Sequence, residues 1–411
     1  MNKIINFGSC NIDYVYELDH IVSPGETEAT RSLHVFPGGK GLNQSIAVAR
    51  AGSPVFHAGL IGSDGEMLRG VMTESGVNTD WVLTSEEKSG HAIIQVTADG
   101  ENSIFLYPGA NRAFDGKFIE TVLENFTSDD VLILQNEINC VETVIRSGYE
   151  KGMRVCFTPS PISDDLRDLD LGMLSYLLLN EVEARALSGS DDAETGIERL
   201  CARYPHLKVV LTLGKNGCVY ITSTERIYHP TFTVPVVDTT AAGDTFAGYF
   251  ISAITSGIAP ADALKRASAA AALCISRNGA SPSIPTSEEV DIALTTLALS
   301  RNTLDDKKRA LTIRRYISEH TRGASLKELA EILGYSVTYT GALVKRIMGA
   351  PFSKLLEDTR CRMAAEMLAE TELPVQEIIY RVGYENENFF RKLFSERYGK
   401  TPLEYRKKET K

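Results

Sequence analysis

Asp238-Thr-Thr-Ala-Ala-Gly-Asp244, running directly into Thr245–Thr255, is the most informative stretch of this 411-residue chain. Three small residues ahead of a helical run let the backbone approach an anion closely. The unpaired N–H groups and the helix dipole can then hold that anion. An aspartate in the first turn can accept a hydroxyl proton while developing phosphoryl charge meets the amides. Gly-Asp by itself also opens many purely structural helices, so the surrounding sequence has to decide.

Outward from this stretch, the first 295 or so residues alternate short apolar runs with helical stretches. Residues 4–8, 55–61, 131–134, 155–158, 176–179 and 209–212 read as strands. Residues 43–51, 65–75, 141–151, 181–188, 196–204 and 242–255 read as helices. Alternation of this length predicts an α/β fold with a mostly parallel sheet covered on both faces. Residues 27–36, and 91–96 with 103–107, show polar–apolar alternation with no helix between, which predicts an antiparallel flap.

Weaker motifs accompany the first. Gly38-Gly-Lys-Gly-Leu-Asn43 is a glycine-rich turn opening a helix, without the spacing of a P-loop or a dinucleotide fold. Asn180-Glu-Val-Glu183 ends a strand and could orient a metal-bound water. Thr212-Leu-Gly-Lys-Asn-Gly217 could line a nucleotide. Taken in order with Asn11-Ile-Asp13, Gly52, Gly62 and Glu137, these motifs resemble the ribokinase/PfkB carbohydrate kinases over roughly residues 1–295.

The resemblance implies a ribokinase-like three-layer α/β/α sandwich with a small β lid that commonly mediates homodimers. It implies Asp244 as the base, with the Ala242, Gly243 and Asp244 amides as the anion hole. Asn11, Asp13, Gly39, Lys40, Asn43 and Glu137 match sugar-binding positions. Asn180 and Glu183 match phosphate and Mg²⁺-water positions, and Thr212, Gly214 and Gly217 line ATP. Asp238, Thr240, Cys274, Arg277, Gly279 and Ser283 match a monovalent-cation (K⁺) loop. Asn, Asp, Lys and Glu suit several hydroxyls better than an aromatic base, which favours a free pentose over a nucleoside. One departure stands out: Tyr249 occupies a place where the family prefers Ala or Gly, which predicts pressure on the packing of the catalytic helix.

After Pro285 the texture changes. Residues 287–299 read as a last helix, 298–308 as a polar linker, and 309–408 as almost wholly helical. Leu326-Lys-Glu-Leu-Ala-Glu-Ile-Leu-Gly334-Tyr-Ser336 has helix-turn-helix form, and Val375-Gln-Glu-Ile-Ile-Tyr-Arg-Val-Gly383-Tyr repeats it. With the spanning helix 352–370 and the ending Gly399-Lys-Thr-Pro-Leu-Glu-Tyr-Arg406, this segment resembles the AraC/XylS DNA-binding domain. That resemblance implies two recognition helices, 338–348 and 386–398, in successive major-groove faces of double-stranded DNA. Thr338, Gly341, Ala342, Lys345, Arg346, Asn386, Asn388, Arg391 and Lys392 are placed to meet bases or phosphates. Ala342 stands where a larger polar residue is usual, and Thr340 and Val344 where bulkier apolar ones are, so the first helix is expected to read bases and pack thinly. The basic residues Arg406, Lys407, Lys408 and Lys411 are expected to be a solvated tail.

Charge supports the same division. The net −11 argues on average against nucleic acid, yet residues 301–411 carry 22 basic and 16 acidic side chains, leaving 21 and 38 in the first 300. Seven scattered cysteines, with no CxxC pair, suit reduced core thiols. No signal-like start or long apolar run appears, so a cytoplasmic protein away from membranes is expected. The sequence thus predicts residues 1–297 as an ATP-dependent pentose kinase acting on a primary hydroxyl, joined to a sugar-responsive transcription regulator. The alternative expectation is a regulator whose kinase-like part senses ligand without turnover.

Overall fold

The computed structural model describes residues 2–97, 101–297 and 301–409. The chain divides into two compact units, Met1–Ser300 and Arg301–Lys411. Among the described residues, no helix is long and apolar enough to cross a membrane.

The first unit contains thirteen strands: β1 Ile4–Phe7, β2 Asn11–Leu18, β3 Ser32–Gly38, β4 Val55–Ile61, β5 Asn78–Thr84, β6 Gly90–Thr97, β7 Asn102–Tyr107, β8 Val131–Gln135, β9 Arg154–Thr158, β10 Tyr176–Asn180, β11 Lys208–Thr212, β12 Cys218–Ile221 and β13 Arg226–His229. Nine of them form one sheet in the order β13-β12-β11-β10-β9-β8-β1-β4-β5. It is parallel from β5 to β11, and an antiparallel hairpin closes the other edge. Alternate residues of each strand feed two separate cores. Ile4, Val131, Ile133, Leu178 and Val210 lie in one, while Ile5, Leu132, Leu134, Leu177 and Leu211 lie in the other. A strand buried on both faces cannot alternate polar and apolar residues, which is why these runs read as continuous apolar segments. Helices Lys40–Arg50, Ala242–Thr255 and Pro260–Ile275 cover the first core, and Val141–Glu150, Glu181–Ser188 and Ala193–Arg203 cover the second. The predicted three-layer sandwich is therefore present.

The flap is a four-stranded sheet in the order β3-β2-β6-β7; its outer pairs are antiparallel, but the central β2–β6 pair is parallel, so the sheet is mixed where an antiparallel flap was expected. Its strand β2 escapes the sequence reading, because Asn11-Ile-Asp-Tyr mixes site residues with apolar ones. The strand expected over 27–36 instead runs Ser32–Gly38, where it pairs with β2. The edge strands β5 and β13, strand β12 beside the latter, and the helices Gly116–Leu123 and Pro260–Ile275 add to the elements that the sequence patterns predict. The Ala-rich helix Pro260–Ile275 lacks the contrast between faces that periodicity detects, since it is buried nearly all round.

In the second unit, helices Leu326–Leu333 and Val337–Met348 pack on Ile313, Tyr316, Ile317, Phe352 and Leu356. Helices Val375–Arg381 and Glu387–Tyr398 pack on Cys361, Ala364, Ala365 and Leu368. Helix Phe352–Glu370 supplies residues to both cores, so it spans the two helix-turn-helix pairs as expected. Residues 301–308, expected as linker, are instead the opening turns of helix Arg301–Glu319; 298–300 lie outside the described residues. This polar stretch contains neither Gly nor Pro, and its Asp306–Arg309 ion pair suits a helix.

Candidate functional site

Strand β1 has β4 on one side and β8 on the other, so the chain reverses direction across the sheet at β1. In open α/β sheets, the crevice beyond the strand C-termini at such a reversal is where ligands bind. Here that crevice gathers Ser9 after β1, Glu137 after β8, and the start of helix Lys40–Arg50.

The glycine-rich turn has a packing explanation. A Cβ on Gly38 would lie 2.0 Å from Asp13 Oδ2, and one on Gly41 would lie 2.4 Å from the Ser9 amide. Gly39 has φ +97°, which glycine adopts without strain. Residues 38–41 thus seat the helix directly on the end of β1. Ser9 Oγ donates to Glu137 Oε2 at 2.5 Å and accepts from the Gly41 amide at 3.2 Å, while the Lys40 amide donates to the same Glu137 oxygen at 3.0 Å. One Glu137 oxygen is therefore spent on holding the turn.

Asp244 is buried in the first turn of helix Ala242–Thr255. Asn43 Nδ2 donates to its Oδ2 at 3.2 Å, and Gln44 Nε2 donates to its Oδ1 at 3.1 Å. Gln44 is in turn held by Gln135, whose Nε2 donates to Gln44 Oε1 at 2.8 Å. Burial pushes Asp244 up to about 6 despite Lys40 and these amide donors. Burial and the charge of Glu137 push Asp13 up to about 7. Lys40 moves above the ordinary lysine value, chiefly through the charge of Asp244, then Glu137, Glu183 and Asp13. A single ammonium thus faces carboxylates from four separate segments of chain. Asn43 Oδ1 is buried with no hydrogen-bond partner among the described residues, which leaves an acceptor for a ligand hydroxyl.

The turn expected to hold an anion differs from amide to amide. The Ala242 amide donates to Thr239 O at 3.3 Å. Ala241 has φ 60°, an unusual left-handed conformation for alanine that turns the chain into the helix. A Cβ on Gly243 would meet nothing within 4 Å, so that face of the turn is open.

Asn11 opens β2, and its Oδ1 accepts from Asn111 Nδ2 at 2.7 Å, which leaves Asn11 Nδ2 as the group to offer a ligand. Asn180 and Glu183 form a capping box: Asn180 Oδ1 accepts the Val182 and Glu183 amides, and Glu183 Oε2 accepts the Asn180 amide. Asn180 Nδ2 and Glu183 Oε1 stand outside that box. Thr212 is the register neighbour of Asn180 on β11. Gly214 and Gly217 shape the following turn with φ of +54° and +90°.

The residues of the expected cation loop also meet. Asp238 Oδ1 accepts the Thr240 amide and hydroxyl, and Asp238 Oδ2 accepts the Gly279 amide at 3.0 Å. Against desolvation, these donors hold Asp238 below the ordinary carboxylate value. Cys274 Sγ lies 3.0 Å from Ser283 Oγ and 3.5 Å from Thr240 O. The Arg277 guanidinium points away to Glu289, at 2.7 Å.

Sequence reasoning missed Ser9, Gln44, Asn111 and Gln135. Gln44 adjoins Asn43 and could have been suspected. Asn111 lies 100 residues from its partner Asn11, and no local signal marks it. The expected pressure from Tyr249 is absent. Its ring is buried and its hydroxyl donates to Pro285 O at 2.8 Å, while the neighbouring Gly248 meets helix Lys40–Arg50.

On the second unit, Thr338, Ala342 and Lys345 are exposed on the first recognition helix, and Gly341 is half-buried. The side chain of Arg346 lies outside the described residues. Asn388 and Lys392 are exposed on the second helix. Asn386 caps that helix by accepting the Phe389 amide at 3.0 Å, and Arg391 pairs with Glu387 at 3.5 Å. Arg406 is no loose tail: its Nη2 donates to Leu373 O at 2.6 Å, whereas 407, 408 and 411 lie outside the described side chains.

Comparison with known proteins agrees with this geometry. Residues 1–287 match the pfkB family carbohydrate kinase model, and residues 329–408 match a helix-turn-helix domain of the AraC type. The ribokinase of Haemophilus influenzae is 33% identical over 294 residues, covering 69% of this chain and 95% of that protein. The crystal structure of Cryptococcus neoformans ribokinase in complex with ADP superposes with a TM-score of 0.64 at 33% identity, covering 71% of this chain and 99% of that one. Arabidopsis thaliana ribokinase complexed with ribose and ATP gives 0.63 at 28% identity, covering 72% and 99%. The chain belongs to the pfkB family of carbohydrate kinases, and it carries a helix-turn-helix domain after the kinase.

Proposed function

We propose that this carbohydrate kinase transfers the γ-phosphoryl group of ATP to the primary hydroxyl of a ribose-like pentose. The single observation that carries the reading is the buried Asp244. Amide donors from Asn43 and Gln44 fix both its oxygens, and Lys40 sits beside it in the switch-point crevice. The relatives described as ribokinases, one complexed with ribose and ATP, support the choice of substrates. Asn11, Asp13, Asn43 and Lys40 would hold the sugar hydroxyls. Asp244 takes the proton of the attacking hydroxyl as its oxygen bonds to the γ-phosphorus. The bond from that phosphorus to the β–γ bridging oxygen breaks, leaving ADP, and the Gly243 and Asp244 amides receive the developing charge.

The residues present fit the two cations the family implies. Glu183 Oε1, outside its capping box, suits a Mg²⁺-bound water, and Asn180 Nδ2 suits a phosphate oxygen. Asp238 and Ser283, with the backbone oxygens of Thr240, Cys274, Arg277 and Gly279, would offer oxygen donors of the kind a monovalent ion such as K⁺ takes. When bound, the two ions would supply positive charge to the phosphates and to the anion-hole loop.

The flap supports a homodimer. Register places Val15, Ile94, Ile104 and Leu106 on the face that also carries Asp13, and Ile104 and Leu106 are more than half exposed. An apolar face continuing from the sugar site is an area that a second copy would cover.

The helix-turn-helix unit would bind double-stranded DNA through helices Val337–Met348 and Glu387–Tyr398, making the whole chain a sugar-responsive transcription regulator. Phosphoryl transfer to a panel of pentoses, with and without DNA, tests both parts. Turnover with ribose that Asp244→Asn abolishes is the expected result. Sugar binding without turnover would leave only a ligand sensor. DNA affinity is expected to fall steeply with salt, and affinity indifferent to salt contradicts phosphate contact.

A further inference from the structure

We propose that Phe389 is a base-reading residue that recognises the C5-methyl group of a thymine in the major groove. This rests on the DNA-binding reading and gives it a sequence preference. Helix Glu387–Tyr398 has Phe390 and Phe394 fully buried against helix Phe352–Glu370. Successive residues on a helix point about 100° apart, so anchoring Phe390 inward turns Phe389 outward. Its side chain is 54% exposed.

The ring also has a defined position. The Phe389 amide is the one that Asn386 caps, so the helix start is fixed at this residue. Tyr384 lies 6.1 Å from the Phe389 ring and 5.1 Å from that of Phe390, bracing it from the turn side. Asn388 and Lys392 are exposed on the same face. From 388 to 392 the helix rises about 6 Å, roughly two base-pair steps. Asn pairs with adenine edges, Lys with guanine, and an apolar side chain with the thymine methyl. Among the described side chains of the first recognition helix, Val337, Thr338, Ala342 and Lys345 are exposed, and none of them is aromatic. The net positive charge of residues 301–411, against the acidic remainder, suits a polyanionic partner for this unit.

Any C5-methylated pyrimidine presents the same methyl, so the test must separate thymine from 5-methylcytosine. Duplexes would be selected from a random pool with the full-length protein, and each thymine in the selected site replaced singly by deoxyuridine. Binding would be measured at fixed salt. One such replacement is expected to weaken the wild type about fourfold, the worth of one buried methyl. Phe389→Ala should bind both duplexes alike, with an unchanged salt slope, while Phe389→Leu keeps part of the discrimination. If Phe389→Ala selects the same site with the same uridine sensitivity, the proposal is overturned while DNA binding stands. Dependence on 5-methylcytosine instead of thymine overturns it too. Absence of any salt-dependent duplex binding removes the proposal together with the reading beneath it.

Discussion

Gly248→Ala puts the arrangement of the site to a direct test, because it touches no ligand-facing group. A Cβ at 248 would lie 2.4 Å from Ala47 Cβ and 3.0 Å from Gln44 O, both on helix Lys40–Arg50. Carbon atoms in contact sit about 3.5–4.0 Å apart, so the two helices must separate by roughly 1 Å. The same helix pair carries the 3.2 Å and 3.1 Å hydrogen bonds from Asn43 and Gln44 to Asp244. An opening of that size takes both beyond the range of a hydrogen bond. Overpacking of this kind costs about 1–3 kcal/mol, and misplacing a reacting group by about 1 Å costs on the order of 10²-fold in rate. The chain has one tryptophan, Trp81, which packs against a core of the kinase unit, so its fluorescence in urea follows that unit. Gly70→Ala is the matched control. It lies in helix Glu66–Glu74, where an added Cβ would meet nothing within 4 Å, so it should gain about 0.5–1 kcal/mol and keep full activity. Wild-type kcat and urea midpoint in Gly248→Ala would refute the reasoning.

Other outcomes follow from the buried charges and the helix-turn-helix core. Asp244 titrates near 6, so kcat/KM should fall as pH drops through that value; because Gln44 lowers this pKa, Gln44→Leu should move the acid limb to higher pH. Asp244 and Asp13 are raised from 3.8 to about 6 and about 7, so between pH 4 and 7 the folded protein holds protons the unfolded chain has lost. Ligand-free stability should therefore fall as pH rises through that window, by up to about 3 kcal/mol for Asp244 alone, and Asp13→Asn should flatten the curve of Trp81 urea midpoints. Thr340 in the first recognition helix is fully buried, and its hydroxyl has no hydrogen-bond partner among the described residues. Thr340→Val should then slow amide exchange across Val337–Met348 by about 1 kcal/mol of added protection, and unchanged exchange would count against an unpaired hydroxyl there.

Thr340 shows how far sequence reading goes. The resemblance marks its place as one usually filled by a bulkier apolar residue, but only the packed helices reveal that the hydroxyl is buried without a partner among the described residues. Tyr249 shows the reverse. Its bulk suggests pressure on the catalytic helix, yet a shift of one residue around a helix moves a side chain by about 100°, and the contact falls on Gly248 instead.

Strand–helix alternation, the two glycine-rich turns, the duplicated helical hairpin and the charge division are local patterns, and local patterns are legible in a sequence. They determined the layered α/β architecture, the two-unit organisation and most of the residues now found in the crevice. What brings Asp13, Glu137, Glu183 and Asp244 around the Lys40 ammonium is the reversal of strand order at β1, together with the close approach of two helices 200 residues apart. The same tertiary packing recruited Ser9, Gln44, Asn111 and Gln135, whose partners lie 32 to 200 positions away. Hydrogen bonding acts over about 3 Å of space and is indifferent to separation along the chain, so these partners became visible only once the sheet was assembled.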